Sequence, residues 1–271
     1  MAGPLDGKVA VVTGAGRHKG IGRYIALALA RDGADVVVTG SGRSPETFPD
    51  AEKEIGWRDI ESVAEEIRAM GRKCLPLVTD MTKAEDAQRL ADETVREMGR
   101  VDILVNNAAA GRGSDRVPVI QLEESEWRRV LDLNLTGAFL VTKAVGAKVV
   151  AQGEGGRIVN ISSILGRQGM ITSSAYSASK AGLLLLTQVL ALELAPQKIN
   201  VNAICPGLIG TSRMDDVTAP GPIRDMVMRT TPLGREGYPE EVGDLVSFLC
   251  GPGGDYVTGQ TINIDGGRVM S

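Results

Sequence analysis

Two side chains four residues apart carry the most chemistry in this sequence: Tyr176 and Lys180, in Ser174-Ala175-Tyr176-Ser177-Ala178-Ser179-Lys180. The residues after them are small or apolar as far as Ala195, with Gly182 the sole breaker, so the stretch reads as a helix over Ser174 to Ala195. At i and i+4 both side chains leave one helical face, one above the other. A phenol in water titrates near ~10 and is a poor acid or base at neutral pH. A nearby ammonium favours the phenolate and brings proton transfer toward working pH. Ser162 and Ser163, ahead of the helix, supply hydroxyls that can hold an oxygen beside the phenol. Together these groups suit the interconversion of a ketone and an alcohol. A bare Tyr-x-x-x-Lys also occurs on ordinary amphipathic helices, so the elements around it must decide.

The first such element is a strand, Lys8 to Thr13, followed at once by Gly14-Ala15-Gly16-Arg17-His18-Lys19-Gly20-Ile21-Gly22. A helix from Arg23 to Asp32 ends at Gly33, and a second strand runs from Asp35 to Thr39. Glycines between strand and helix let a phosphate approach backbone N–H groups where the helix dipole favours anions. Further strands are expected at Lys73–Val78, Val101–Val105, Arg157–Ser162, Lys198–Ile204 and Thr261–Ile264. Helices are expected at Asp59–Met70, from a capping box at Thr82-Lys83-Ala84-Glu85 to Met98, at Glu124–Ala151, near Ile223–Arg229 and at Glu240–Cys250. Gly40 to Trp57 is polar, carries Pro45 and Pro49, and reads as an excursion outside the core.

Strict alternation of strand and helix gives an α/β fold with a doubly wound parallel sheet, helices on both faces, in one domain over residues 1–271. Ligands of such sheets sit beyond the carboxyl ends of the strands, where strand order reverses. There lie the glycine turn, Asp80, Asn106-Asn107, Ser162-Ser163 and Pro206-Gly207, each after a different strand. The expected ligand is a dinucleotide.

These residues make the chain similar to the short-chain dehydrogenases/reductases over nearly its whole length. The likeness rests on Thr13-Gly14 with Gly20-Ile21-Gly22, Asp80-Met81, Asn106-Asn107-Ala108-Ala109, Asn134, Ser163, Tyr176 with Lys180, Pro206-Gly207-Leu208-Ile209-Gly210-Thr211, and Thr258 to Gly267. The resemblance implies a Rossmann-type sheet of about seven strands and a nicotinamide-dependent oxidoreductase with an Asn134, Ser163, Tyr176, Lys180 catalytic set. Family spacing selects Ser163 over Ser162. Tyr176 exchanges the proton, Ser163 polarises the substrate oxygen, and Lys180 tunes Tyr176 and bonds the nicotinamide ribose. Asn134 interrupts its helix so that a main-chain carbonyl holds a relay water. Gly14, Arg17, Gly20, Ile21, Gly22, Ser41, Asn107, Ala108, Pro206 and Gly207 complete the cofactor site. Asp80 accepts from the adenine amine beside Met81, while Ile209 and Thr211 fix the carboxamide.

The sequence departs from the family in two places. Gly14 and Gly20 are separated by five residues, which puts the register of Gly16 in question, and the excursion from Ser41 to Trp57 is long. It reads equally as a tolerated surface insertion or as a functional segment, either a flap over the adenosine half of the site or an oligomer contact. NAD-preferring enzymes of this fold place an acid at the end of strand two. Here that place is Gly40, with no acid nearby until Glu46, and Arg43 offers a grip on a 2′-phosphate. NADP(H) is therefore expected over NAD(H), which is not excluded.

The expected substrate is a medium-sized, partly apolar carbonyl or secondary alcohol contacted by Arg112, Leu165, Met170, Ile171, Leu208 and Met214, under a lid at 207–232. A 3-oxoacyl thioester, a cyclic ketone, a sterol and a sugar fit comparably, and 3% aromatic residues weigh mildly against a flat polycycle. Competing readings on this scaffold are a dehalogenating lyase, which resembles this chain only with Arg in place of Lys180, and a cofactor-sensing protein without chemistry. Enoyl reductases of the fold space their Tyr and Lys further apart.

At 271 residues, 43% hydrophobic and 24% charged, the chain has an ordinary globular composition. A net charge of −4 argues against nucleic acid or an anionic membrane as partner. Three scattered cysteines suggest a reducing compartment, and a single histidine, His18, leaves no basis for a multi-histidine metal site. With no signal-like N-terminus and no apolar run judged long enough to span a bilayer, a cytoplasmic setting is expected. The helix from Ala178 is apolar on every side, which points to a homo-oligomer, a dimer or tetramer, covering its far face.

Overall fold

A computed structural model describes residues 3–214 and 221–270. Seven strands form one parallel sheet: β1 (Val9–Val12), β2 (Asp35–Gly40), β3 (Cys74–Val78), β4 (Ile103–Asn106), β5 (Gly156–Ile161), β6 (Ile199–Pro206) and β7 (Thr261–Ile264). Their spatial order is β3-β2-β1-β4-β5-β6-β7, so the order reverses between β1 and β4. Nine helices longer than a single 3₁₀ turn lie among the described residues. They are α1 (Ile21–Arg31), α2 (Asp50–Glu54), α3 (Ile60–Ala69), α4 (Ala84–Met98), α5 (Glu124–Leu131), α6 (Gly137–Gln152), α7 (Ser174–Leu194), α8 (Pro222–Arg229) and α9 (Pro239–Cys250).

The strands are predominantly apolar because both faces of the sheet are covered. In β1, Ala10 and Val12 join one core with Ile25, Leu29, Val63, Ile67, Val246 and Leu249 from α1, α3 and α9. Val9 and Val11 face the other way, among Leu90, Ala91, Val141, Val145 and Val149 from α4 and α6. The same alternation recurs in β4, where Ile103 and Val105 enter the first core and Leu104 the second.

The structure corrects three sequence expectations. The Thr82 capping box does not form: α4 is preceded by Lys83 with no side-chain cap, and Thr82 Oγ1 donates instead to Asp80 Oδ1 at 2.7 Å. The interruption expected at Asn134 is present, as a π turn over Asp132–Thr136 that divides the long helix after Glu124 with Asn134 at its centre. Helical segments Glu124–Gln152 and Ser174–Gln197 are long and apolar enough to cross a bilayer, against the expectation of no such run. Both contribute to the cores on the sheet, which accounts for their apolar composition. Finally, the polar excursion after β2 is partly core: Phe48, Glu52 and Trp57 are all buried. The expected lid is described only in part, since 215–220 lie outside the described residues.

Candidate active site

Where strand order reverses, a cavity of about 690 Å³ opens at the carboxyl edge of the sheet. Gly14, Arg17, Gly20, Ile21 and Gly22 line it from the glycine turn, and Ser41 and Arg43 from the segment after β2. Asp80 and Met81 follow β3, Asn107 and Ala108 follow β4, and Pro206, Gly207, Ile209, Thr211 and Met214 follow β6. Ser163, Tyr176 and Lys180 close the far end.

The glycine turn is held tightly. Thr13 Oγ1 accepts from the N–H groups of Asn107 and Ala108, both at 3.0 Å, and Asn107 Nδ2 donates to the carbonyls of Thr13 and Gly14. A Cβ at Gly14 would lie 2.7 Å from Ala108 Cα, and one at Gly22 would lie 2.6 Å from the Gly14 carbonyl. Only bare backbone fits. Gly20 caps α1 without a side-chain bond, and the first turn of α1 holds no acid, so its N–H groups and dipole face the cavity ready for an anion. This cradle fits the pyrophosphate of a dinucleotide. Asp80 is fixed beside it by Thr82 and Lys83, and the bonds from Thr82 hold its carboxyl below the usual range.

At the other end Lys180 is buried, with Nζ donating to the Ile161 carbonyl at 2.7 Å and lying 5.8 Å from the centre of the Tyr176 ring. Ser163 Oγ accepts from Leu165 N at 3.1 Å, and an accepting hydroxyl can still donate its own proton. Ser162 turns away, donating to the Lys180 carbonyl at 2.9 Å. Asn134 does not line the cavity; its buried side chain accepts from Ala110 N and donates to Ser179 Oγ, tying the loop after β4 to α7.

Of the six substrate positions expected, Met214 alone lines the cavity. Leu208 packs with Val227 and Met228 of α8, and Leu165 packs with Ile164, Leu184 and Cys205 in a small core. Met170 and Ile171 are exposed at 46% and 86%, and Arg112 is also exposed. Side-chain direction on a loop has no sequence period to reveal it.

Several contributors escaped the sequence reading. Arg116 stacks its guanidinium 4.7 Å over the Tyr176 ring and donates to Ser173 Oγ at 2.8 Å. It sits on an aperiodic loop, so no pattern marked it. The extra residues of the glycine turn and the excursion form one latch. Trp57 Nε1 donates to the Gly16 carbonyl at 2.7 Å, and His18 N donates to Glu52 Oε1 at 2.9 Å. Arg43 donates to Glu52 and Asp59, both at 3.1 Å, beneath the Phe48 ring. Arg43 therefore does not stand ready for a phosphate, and the premise that no acid lies nearby fails: Asp59, from the start of α3, lines the cavity. The role of Gly16 also becomes plain, because a Cβ there would fall 1.5 Å from Asp59 Oδ1.

A doubly wound sheet whose reversal point carries a backbone-only anion cradle defines a dinucleotide-binding protein. Residues 14–268 match the family described as Enoyl-(Acyl carrier protein) reductase. The chain is 39% identical over 267 residues, 98% of each sequence, to a 3-oxoacyl-[acyl-carrier-protein] reductase of Synechocystis sp.. Among solved structures it resembles the carveol dehydrogenase of Mycobacterium avium in complex with NAD, with TM-score 0.88, 29% identity, and 98% and 99% of the two chains covered. It also resembles a provisionally named 2-deoxy-D-gluconate 3-dehydrogenase of Agrobacterium tumefaciens with bound NADP, with TM-score 0.83, 34% identity and 97% of each chain covered. This chain belongs to the short-chain dehydrogenase/reductase family.

Proposed function

We propose that the protein is an NAD(P)-dependent oxidoreductase interconverting a ketone and a secondary alcohol. The observation that carries this reading is that Ser163, Tyr176 and Lys180 line the same cavity as the glycine cradle. A bound nicotinamide supplies or takes up a hydride at the substrate carbon. Tyr176 gives its hydroxyl proton to the carbonyl oxygen in reduction and recovers it from the alcohol in oxidation. Ser163 donates to the same oxygen and holds it within reach of the phenol. Lys180, anchored on Ile161, sets a positive charge 5.8 Å from the centre of the Tyr176 ring, within the cavity where the nicotinamide ribose would be held. The π turn at Asn134 frees main chain from the α pattern, and we assign its carbonyl to a water that returns protons to Lys180.

The relatives are named for a 3-oxoacyl-[acyl-carrier-protein], carveol and, provisionally, 2-deoxy-D-gluconate, so they leave substrate class open. The exposed apolar line on α7 supports a homo-oligomer, and three buried, unpaired thiols support a reducing, cytoplasmic setting. A panel of 3-oxoacyl thioesters, cyclic ketones, sterols and sugar acids, followed by nicotinamide absorbance with both dinucleotides, tests the reading. Turnover of at least one carbonyl or alcohol is expected. Bound dinucleotide without turnover of any would favour the cofactor-sensing alternative.

A further inference from the structure

Gly40 ends β2 where an acid would select NAD, and the chain supplies an acid to that place from elsewhere. Asp59 immediately precedes α3 and is 7% exposed, yet it lines the cavity. A Cβ built on Gly40 would stand 2.9 Å from Ile60 Cγ2 and 3.3 Å from Asp59 Oδ2, and one on Gly16 would collide with Oδ1. Asp59 and Ile60 thus crowd the space that a side chain growing from position 40 would fill, and two glycines leave room for them. The backbone bears a cost for this placement. Asp59 has φ 54° and ψ −130°, a conformation that L residues rarely adopt, and it makes no capping bond to α3. Such strain at a cavity wall points to use of the side chain there.

We propose that Asp59 accepts a hydrogen bond from the adenosine ribose and makes the protein prefer NAD(H) to NADP(H), the reverse of the sequence expectation. Arg43 does not offset this. Its guanidinium is held between Glu52 and Asp59, whose side chains are 3% and 10% exposed, and it also reaches the Gly16 carbonyl at 3.4 Å. Turning Arg43 toward a 2′-phosphate would strip two buried carboxylates of their cation and bring a further negative charge beside them. A ribose hydroxyl needs no such rearrangement. Arg17 and Lys19 also line the cavity, and the Arg17 charge acts on Glu52 and Asp59 as that of Arg43 does, so it too is engaged with the two carboxylates.

The proposal rests on reading the cavity as a nicotinamide dinucleotide site, and titration calorimetry of the full chain with NADH and with NADPH separates the two. NADH should bind at least about tenfold more tightly, the worth of one hydrogen bond to a charged acceptor. Asp59→Asn, checked for folding by thermal denaturation, should lower that ratio by about tenfold, by weakening NADH and strengthening NADPH. NADPH bound as tightly as NADH by the unmodified protein would overturn the proposal, as would an unchanged ratio in folded Asp59→Asn. If the variant does not fold, the ratio for the unmodified protein decides alone. Failure to bind either dinucleotide would overturn the dinucleotide reading and the proposal together.

Discussion

Residue identity and spacing brought Tyr176 and Lys180 together, because helical geometry converts i and i+4 directly into adjacency. Lys180 and Tyr176 needed no tertiary information to be paired. Arg116 and Asp59 did. One lies on a loop without periodicity, and the other looks like an ordinary helix N-cap until the fold carries it over Gly16 and Gly40. His18 offers a test at this scale. It stacks on Trp57 with ring centres 4.8 Å apart, and burial, with Arg23 close by, pushes its pKa below the usual histidine value. The folded state then binds fewer protons than the unfolded state as pH falls through that range. Its contribution to stability is present above the unfolded value and lost as pH falls through the folded one. As the sole histidine, it gives one imidazole signal. An NMR titration should place its midpoint below ~6.5, and a higher midpoint would contradict the packing described.

Regular elements were legible because a sheet covered on both faces writes continuous apolar runs, and glycines after α1, α3, α4 and α6 mark their ends. The excursion after β2 was not legible. Polar residues read as solvated until their partners are known, and Arg43, Glu52 and Asp59 neutralise one another only once the chain has folded back. The Thr82 capping box failed for a related reason: a nearer carboxylate, Asp80, took the hydroxyl. The latch makes a prediction. Gly16→Ala places a methyl against the Asp59 carboxylate, whereas Gly169→Ala, with nothing within 4 Å and no place in the cavity lining, is a control. The first should lower stability by about 1–3 kcal/mol and weaken dinucleotide binding, and the second should change neither measurably. Equal effects in urea denaturation and calorimetry would remove the latch from the account.

At the scale of the whole molecule, α7 carries the proposed proton-transfer pair and an exposed apolar line. One face carries Ala175, Lys180, Leu183, Leu184, Thr187 and Ala191 into the protein. On the other, Leu185, Val189 and Leu192 are exposed at 60%, 46% and 80%, one turn apart in succession. Burying each is worth roughly 1.5–3 kcal/mol, enough for a self-complementary face to hold a pair of subunits. Leu192→Glu should shift light-scattering mass from oligomer to monomer, and a monomeric unmodified protein would remove the premise. The central claim concerns the other face, where we propose that the phenol of Tyr176 moves the proton. Removing that oxygen in Tyr176→Phe leaves the ring against Arg116 and Lys180 in place. The most direct measurement is kcat together with calorimetric dinucleotide affinity for this variant beside the unmodified enzyme. The account predicts a fall in kcat on the order of 10²–10⁴-fold, with dinucleotide affinity nearly unchanged. Activity retained within a few-fold of the unmodified enzyme would contradict it.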